Sequence, residues 1–115
     1  QGLHVWEMPK ADTDYIVCSD VARGDVDGDY STIEIFSVND VVQVAEYQGH
    51  IHPSQLGKLI VKLGMMYNKA ITVVERDSYG FSALQRMIDL DYPNILYTSS
   101  DYKIVEVGIR KCIRG

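Results

Sequence analysis

Apolar positions along this chain repeat with two different periods. The stretch "YIVCSD" is apolar on both faces through Ile16, Val17 and Cys18, which predicts a first strand over Tyr15–Asp20 lying centrally and covered on both sides. After a polar loop, "STIEIFSV" alternates apolar with polar residues and runs through the turn signal "ND" into "VVQVAEY", so an antiparallel hairpin follows and completes a three-strand meander. The period then changes. "HPSQLGKLIVKLGMMYN" opens on proline and serine, spaces Leu56, Leu59, Ile60 and Leu63 along one face and ends near Asn68, predicting an amphipathic helix. "AITVVE" reads as a short buried strand, and "SYGFSALQRMIDLDY" as a second helix with Phe81, Leu84, Met87 and Ile88 on its apolar face, stopping before Pro93. "NILYT" supplies a fifth strand, while "SSDYKIVEVGIRKCIRG" shows no assignable pattern. Residues 1–13, polar and broken by Pro9, read as a lead-in linker to a domain over residues 14–115.

This order predicts an α/β fold: a mixed five-stranded sheet, made of the meander and two crossover units, with helices flanking it. The long crossover between the third and fourth strands lets the fourth lie parallel beside the first.

Composition narrows the class. The 115 residues amount to one domain, and 46% hydrophobic with 23% charged residues is the mixture of a globular chain with a core. No apolar run approaches the roughly 20 residues that cross a bilayer, and the first residues lack the basic and apolar blocks of a secretory signal, so a soluble intracellular protein without a membrane partner is expected. Cys18 and Cys112 form neither a disulfide framework nor a zinc site. A formal net charge of −5 disfavours nonspecific attraction to a polyanion.

The candidate chemistry lies in the carboxylates. Asp20, Asp25, Asp27 and Asp29 fall close together, with Gly24 and Gly28 among them. A calcium loop starting at Asp25 fails because Tyr30 stands where glycine is needed and Phe36 where the closing glutamate is needed, and strands rather than helices flank it. Asp25 and Asp27 beside glycine suit a turn. Asp20 closes the first strand on the face of Cys18 and Ile16, and Glu75 closes the fourth on the face of Val73 and Ile71. If those strands are parallel neighbours, about 4.8 Å apart, the two carboxylates repel unless a proton or a cation joins them. Magnesium and manganese take oxygen ligands and complete their shells with water and phosphate, so the pattern points to metal-assisted phosphate chemistry. The competing reading is that each acid is a solvated strand end or a helix cap. Asp29, at the start of the second strand, is placed to bend back toward Asp20. His4, His50 and His52 lack a shared metal spacing, and His52 before Pro53 reads as a helix start. Gly80, heading the second helix, suits either phosphate approach or close packing.

"YIVCSDVARGDVDGDYSTIEIF", "QVAEYQGHIHPSQLGKLIVKLGMMYNKAITVVERDSYGFSALQRMI" and "YPNILY" together resemble the C-terminal nuclease domain of phage terminase large subunits, an RNase H-like fold that cuts concatemeric DNA during genome packaging. The likeness spans most of residues 6–115, including "VWEMP" and "GIRK". It rests on the aspartate-ended strand, the "G-x-D-Y-S" start of the second strand, the "V-V-E" strand end and the glycine-headed helix, in the family's order. The resemblance implies a divalent-metal-dependent DNA endonuclease using magnesium or manganese in a two-ion site, with Asp20 and Glu75 as catalytic metal ligands and Asp29 beside them. Two ions about 3.5–4 Å apart activate the attacking water and stabilise the leaving oxygen. The family's third carboxylate comes from a later helix that these residues do not include, and Asp89, Asp91 and Asp101 do not stand in its place, so the resemblance implies a domain truncated before its last helix. Arg76 and Asp77 depart from the small or amide residues usual there, with Asp77 a candidate metal neighbour.

Arg23, Lys103, Arg110 and Lys111 are candidate phosphate contacts. The implied partners are double-stranded DNA, the terminase ATPase domain, the small terminase subunit and the portal protein, in the cytoplasm of the phage's host. No G-x-x-x-x-G-K phosphate loop occurs, as fits a nuclease domain apart from its motor. Two alternatives stand beside this reading: a non-catalytic RNase H-like docking module, and an actin-like or sugar-kinase ATPase, whose phosphate hairpin the extra aspartates here would oppose.

Overall fold

In the computed structural model, which describes residues 2–24, 28–75, 79–98 and 104–107, the strand-forming runs join a single seven-stranded sheet. In chain order the elements are β1 (Gly2–Val5), β2 (Tyr15–Asp20), β3 (Ser31–Ser37), β4 (Val42–Gly49), α1 (Pro53–Met66), β5 (Ile71–Val74), α2 (Gly80–Asp89), β6 (Ile95–Thr98) and β7 (Ile104–Val107). Across the sheet the order is β1-β4-β3-β2-β5-β6-β7. The meander β2-β3-β4 is antiparallel, and α1 carries the chain across so that β5 pairs with β2 in parallel, as the crossover logic predicts. The second crossover, through α2, sets β6 parallel to β5.

Four expectations need correction. The sheet has seven strands rather than five, because an edge strand joins at each side. The supposed linker supplies one of them: Gly2–Val5 pairs antiparallel with β4, and the amides of Trp6 and Glu7 both donate to the Val44 carbonyl. An edge strand is held by backbone hydrogen bonds and needs no apolar alternation, and β1 is largely exposed, so its side chains carry little trace of it. The same segment is tied down by Tyr67 Oη, which donates to the Glu7 carbonyl at 2.7 Å, and by Asn68 Nδ2, which donates to the carbonyls of Lys10 and Thr13. β7 forms in the unassigned stretch by antiparallel pairing with β6.

The third correction concerns cover. Val17, Ile33, Ile35, Val74 and Ile95 point to one face of the sheet and join Leu56, Ile60 and Leu63 of α1 and Ala83, Leu84 and Met87 of α2 in a single core. Among the described residues both helices lie on that face. Among the described residues the other face, through Ile16, Cys18 and Val73, is only partly buried, where the apolar run of β2 suggests full cover.

Both helices start and stop for local reasons. His52 Nδ1 accepts from the Ser54 amide, Pro53 sits in the first turn where its missing N–H costs nothing, and the Tyr67 amide closes the end on the Leu63 carbonyl. α2 seats Gly80, Ala83, Leu84 and Met87, while Phe81 and Ile88, expected on its inner face, are exposed. No helix among the described residues is long and apolar enough to cross a membrane.

Candidate active site

The chain brings its acids to one edge of the sheet. β2 ends at Asp20, β5 ends at Val74 with Glu75 directly after it, and α1 and α2 both begin at this same edge, following β4 and β5. The parallel register pairs Cys18 with Val73 and Ser19 with Val74. Asp20 is the last residue of β2 and Glu75 follows the last residue of β5, so both come at the same end of the sheet, and of the two it is Asp20 that lines the cleft described below.

Asp20 is held by its surroundings and left open to solvent. Ser19 Oγ donates to the Thr32 carbonyl at 2.8 Å, Val21 is buried beyond it, and the Ala22 amide donates to Ser31 Oγ at 2.8 Å. These contacts clamp the mouth of the β2–β3 hairpin. Gly24 adopts φ +95 where the loop crosses the Ile51 backbone, and a Cβ there would lie 2.6 Å from the Ile51 carbonyl oxygen, so only glycine fits without a shift. On the return, His50 Nε2 lies 3.0 Å from the Gly28 carbonyl and its ring stacks on Tyr30, centroids 4.3 Å apart. Asp20, Arg23, Asp29, Tyr30 and Tyr79 thereby line one cleft of about 350 Å³. A second depression of about 300 Å³ lies between the helices, lined by Ser54, Phe81, Ser82, Gln85, Arg86 and Asp89; it contains a single acid and no carboxylate pair.

The open sheet face behind the cleft is acidic. Glu34 stands opposite Glu46 on β4 and opposite Cys18 on β2. Burial first, and then the Glu34 charge, push the Cys18 thiol above its ordinary value.

No protein-family model and no curated protein matches the chain. Solved structures do. The large terminase nuclease from thermophilic phage G20c with bound magnesium superposes with a TM-score of 0.73 at 16% identity, over 89% of this chain and 54% of that chain. The same nuclease with bound cobalt gives 0.72 at 16% identity over 89% and 54%, and with bound zinc 0.71 at 15% over 87% and 56%. The chain has the fold of a phage large-terminase nuclease. The RNase H-like architecture expected from the sequence is therefore the one observed, and the chain spans a little over half the length of these terminase-nuclease neighbours.

Within this terminase-nuclease fold, the side chains of Asp20, Asp29 and Glu75 are all exposed and offer carboxylate oxygen, the donor that hard divalent ions take while water fills the rest of the shell. Among the described residues no three His, Cys, Asp or Glu side chains converge as a metal-holding group. Asp20, Asp29 and Glu75 therefore do not form such a group with one another, and each offers a single carboxylate to a hydrated ion. Arg23 lies on the cleft wall, whereas Lys103, Arg110 and Lys111, like Asp25, Asp27, Asp77 and Asp101, fall outside the described residues. His52 is a helix cap, as its place before Pro53 implied. Sequence reasoning did not single out Tyr30 or Tyr79 as cleft residues, and it weighed His50 only as a metal ligand. The signal for Tyr30 was its place directly after Asp29, but its pairing with His50 exists only through the β3–β4 register that sets Ser31 against Gly49.

Proposed function

We propose that the chain is the nuclease module of a phage DNA-packaging machine, a divalent-metal-dependent endonuclease that hydrolyses phosphodiester bonds and cuts concatemeric double-stranded DNA. Asp20 and Glu75 are the proposed catalytic metal ligands and Asp29 the supporting carboxylate. One observation carries this reading: β2 and β5 pair in parallel, so the strand-ending Asp20 and the Glu75 that follows β5 come at the same end of the sheet. It is supported by the shared fold with a nuclease whose structures hold magnesium, cobalt or zinc.

A divalent ion bound there, magnesium or manganese in a two-ion arrangement, would activate water and stabilise the leaving oxygen. The chain's own residues do the rest. Asp20 and Glu75 offset the positive charge of the ion, Arg23 on the cleft wall offers its guanidinium to a phosphate oxygen, and the cleft orients the strand. With a net charge of −5 the domain attracts DNA weakly by itself, which makes the cation and Arg23, with Lys103, Arg110 and Lys111, the proposed phosphate contacts. The ATPase domain, small terminase subunit and portal protein are the proposed partners, in the cytoplasm of the infected host.

The test is nicking of supercoiled plasmid. Cleavage is expected with magnesium or manganese, to vanish with chelator, and to fall to background in Asp20→Asn and in Glu75→Gln. Metal-independent cutting, or full activity in Asp20→Asn, overturns the reading. Absence of both cutting and metal binding favours a docking module instead.

A further inference from the structure

The hairpin that carries Asp29 also builds something the acids alone do not need. Tyr30 is 42% exposed, and Tyr79 across the same cleft is 39% exposed. The Tyr30 ring is not loose: one side lies against the His50 ring, with centroids 4.3 Å apart and planes 16° apart. His50 in turn is fixed through Nε2 at 3.0 Å from the Gly28 carbonyl. One side of a large aromatic ring is thus backed by His50, and this 42% exposed residue lines the cleft together with Asp20, Asp29 and Arg23.

An aromatic face held in this way suits another flat ring. Inside a duplex, nucleobase faces are covered by their neighbours and only their edges are accessible, so a tyrosine face meets a base face only when the base has left the stack. Pre-ordering by His50 removes most of the entropy cost of presenting the ring. Resting on the nuclease reading above, we infer that Tyr30, backed by His50, is a stacking platform for an unpaired nucleobase next to the scissile phosphate. The cleft then favours a strand that is locally out of duplex, frayed or single-stranded, over fully paired DNA. Tyr30 is a specificity-determining residue, and His50 acts through it as a positioning residue.

The experiment compares two DNAs of the same sequence, one fully paired and one carrying a short mismatched bubble with 2-aminopurine in it, in the presence of manganese. Binding is read from 2-aminopurine quenching and cutting from gels. The wild-type chain is expected to favour the bubble by about tenfold and to quench the probe, as one base–aromatic stack implies. Tyr30→Phe keeps the ring and is expected to keep the ratio; Tyr30→Ala is expected to bring it close to one and abolish quenching. His50→Ala is expected to reduce the ratio partially, with Tyr30→Phe and thermal melting as controls for folding.

Equal losses on both DNAs in Tyr30→Ala, leaving the ratio intact, show a hairpin staple only and overturn the inference. So does a wild-type chain that treats the two DNAs alike while cutting both, an outcome that leaves the nuclease reading standing. If neither DNA is bound or cut with metal present, the nuclease reading fails and takes this inference with it.

Discussion

Tyr67 shows how much a single side chain can tie together. It is fully buried, meets Tyr15 edge-on with centroids 4.9 Å apart, and donates to the carbonyl of Glu7, sixty residues earlier in the chain. Burial first, then the neighbouring Tyr15 and Glu7, raise its phenol above the ordinary value near 10. A raised folded-state value means that the unfolded chain ionises first, so the contribution of Tyr67 is complete below about pH 10 and is lost as pH rises through the folded-state value. Urea melts from about pH 8 to about pH 11 are expected to show stability falling on the alkaline side. Tyr67→Phe is expected to cost about 1 kcal/mol at neutral pH, from the hydrogen bond and the Glu7 carbonyl left without its donor, and to flatten that fall. The sequence marked Tyr67 as the end of a helix; that it also fastens the N-terminal segment is a contact between distant residues, which no local pattern encodes.

Elements meet here with little spare room. A Cβ added to Gly57 of α1 would lie 2.4 Å from the Ala83 carbonyl oxygen of α2, and this obstacle is backbone that cannot rotate away. Gly57→Ala is therefore expected to push the helices apart and lower stability by about 1–3 kcal/mol, read from the urea midpoint, although alanine is the better helix former. Five strands and both helices were legible because their side chains alternate or recur with the period of the element. β1 and β7 were not, since edge pairing is made by the backbone. Phe81 and Ile88 fit the helical period yet lie outside the core, because the close approach at Gly57 gives the contact face to Gly80, Ala83, Leu84 and Met87.

At the scale of the whole molecule the proposed metal site would couple function to stability. An ion that binds the folded state alone adds stability as it saturates, about 2.7 kcal/mol at a hundred times its dissociation constant. Magnesium or manganese is therefore expected to raise the melting temperature of the wild-type chain, with little effect on Asp20→Asn or Glu75→Gln. Equal metal-induced shifts in all three proteins would refute a binding role for these acids.

Strand and helix identity, the meander, and the ends at which Asp20 and Glu75 fall are local properties of this sequence, written in residue periodicity and in the residues that start and stop each element. The tertiary structure decided what periodicity cannot express: the two edge strands, the partly buried second face, the helix side chains that reach the core, and the Tyr30–His50 stack beside Asp20 and Asp29. The reason is physical. A side-chain period records which way a residue points within its own element, whereas pairing across strands and cover across a sheet depend on backbone hydrogen bonds and on packing between residues far apart in the chain.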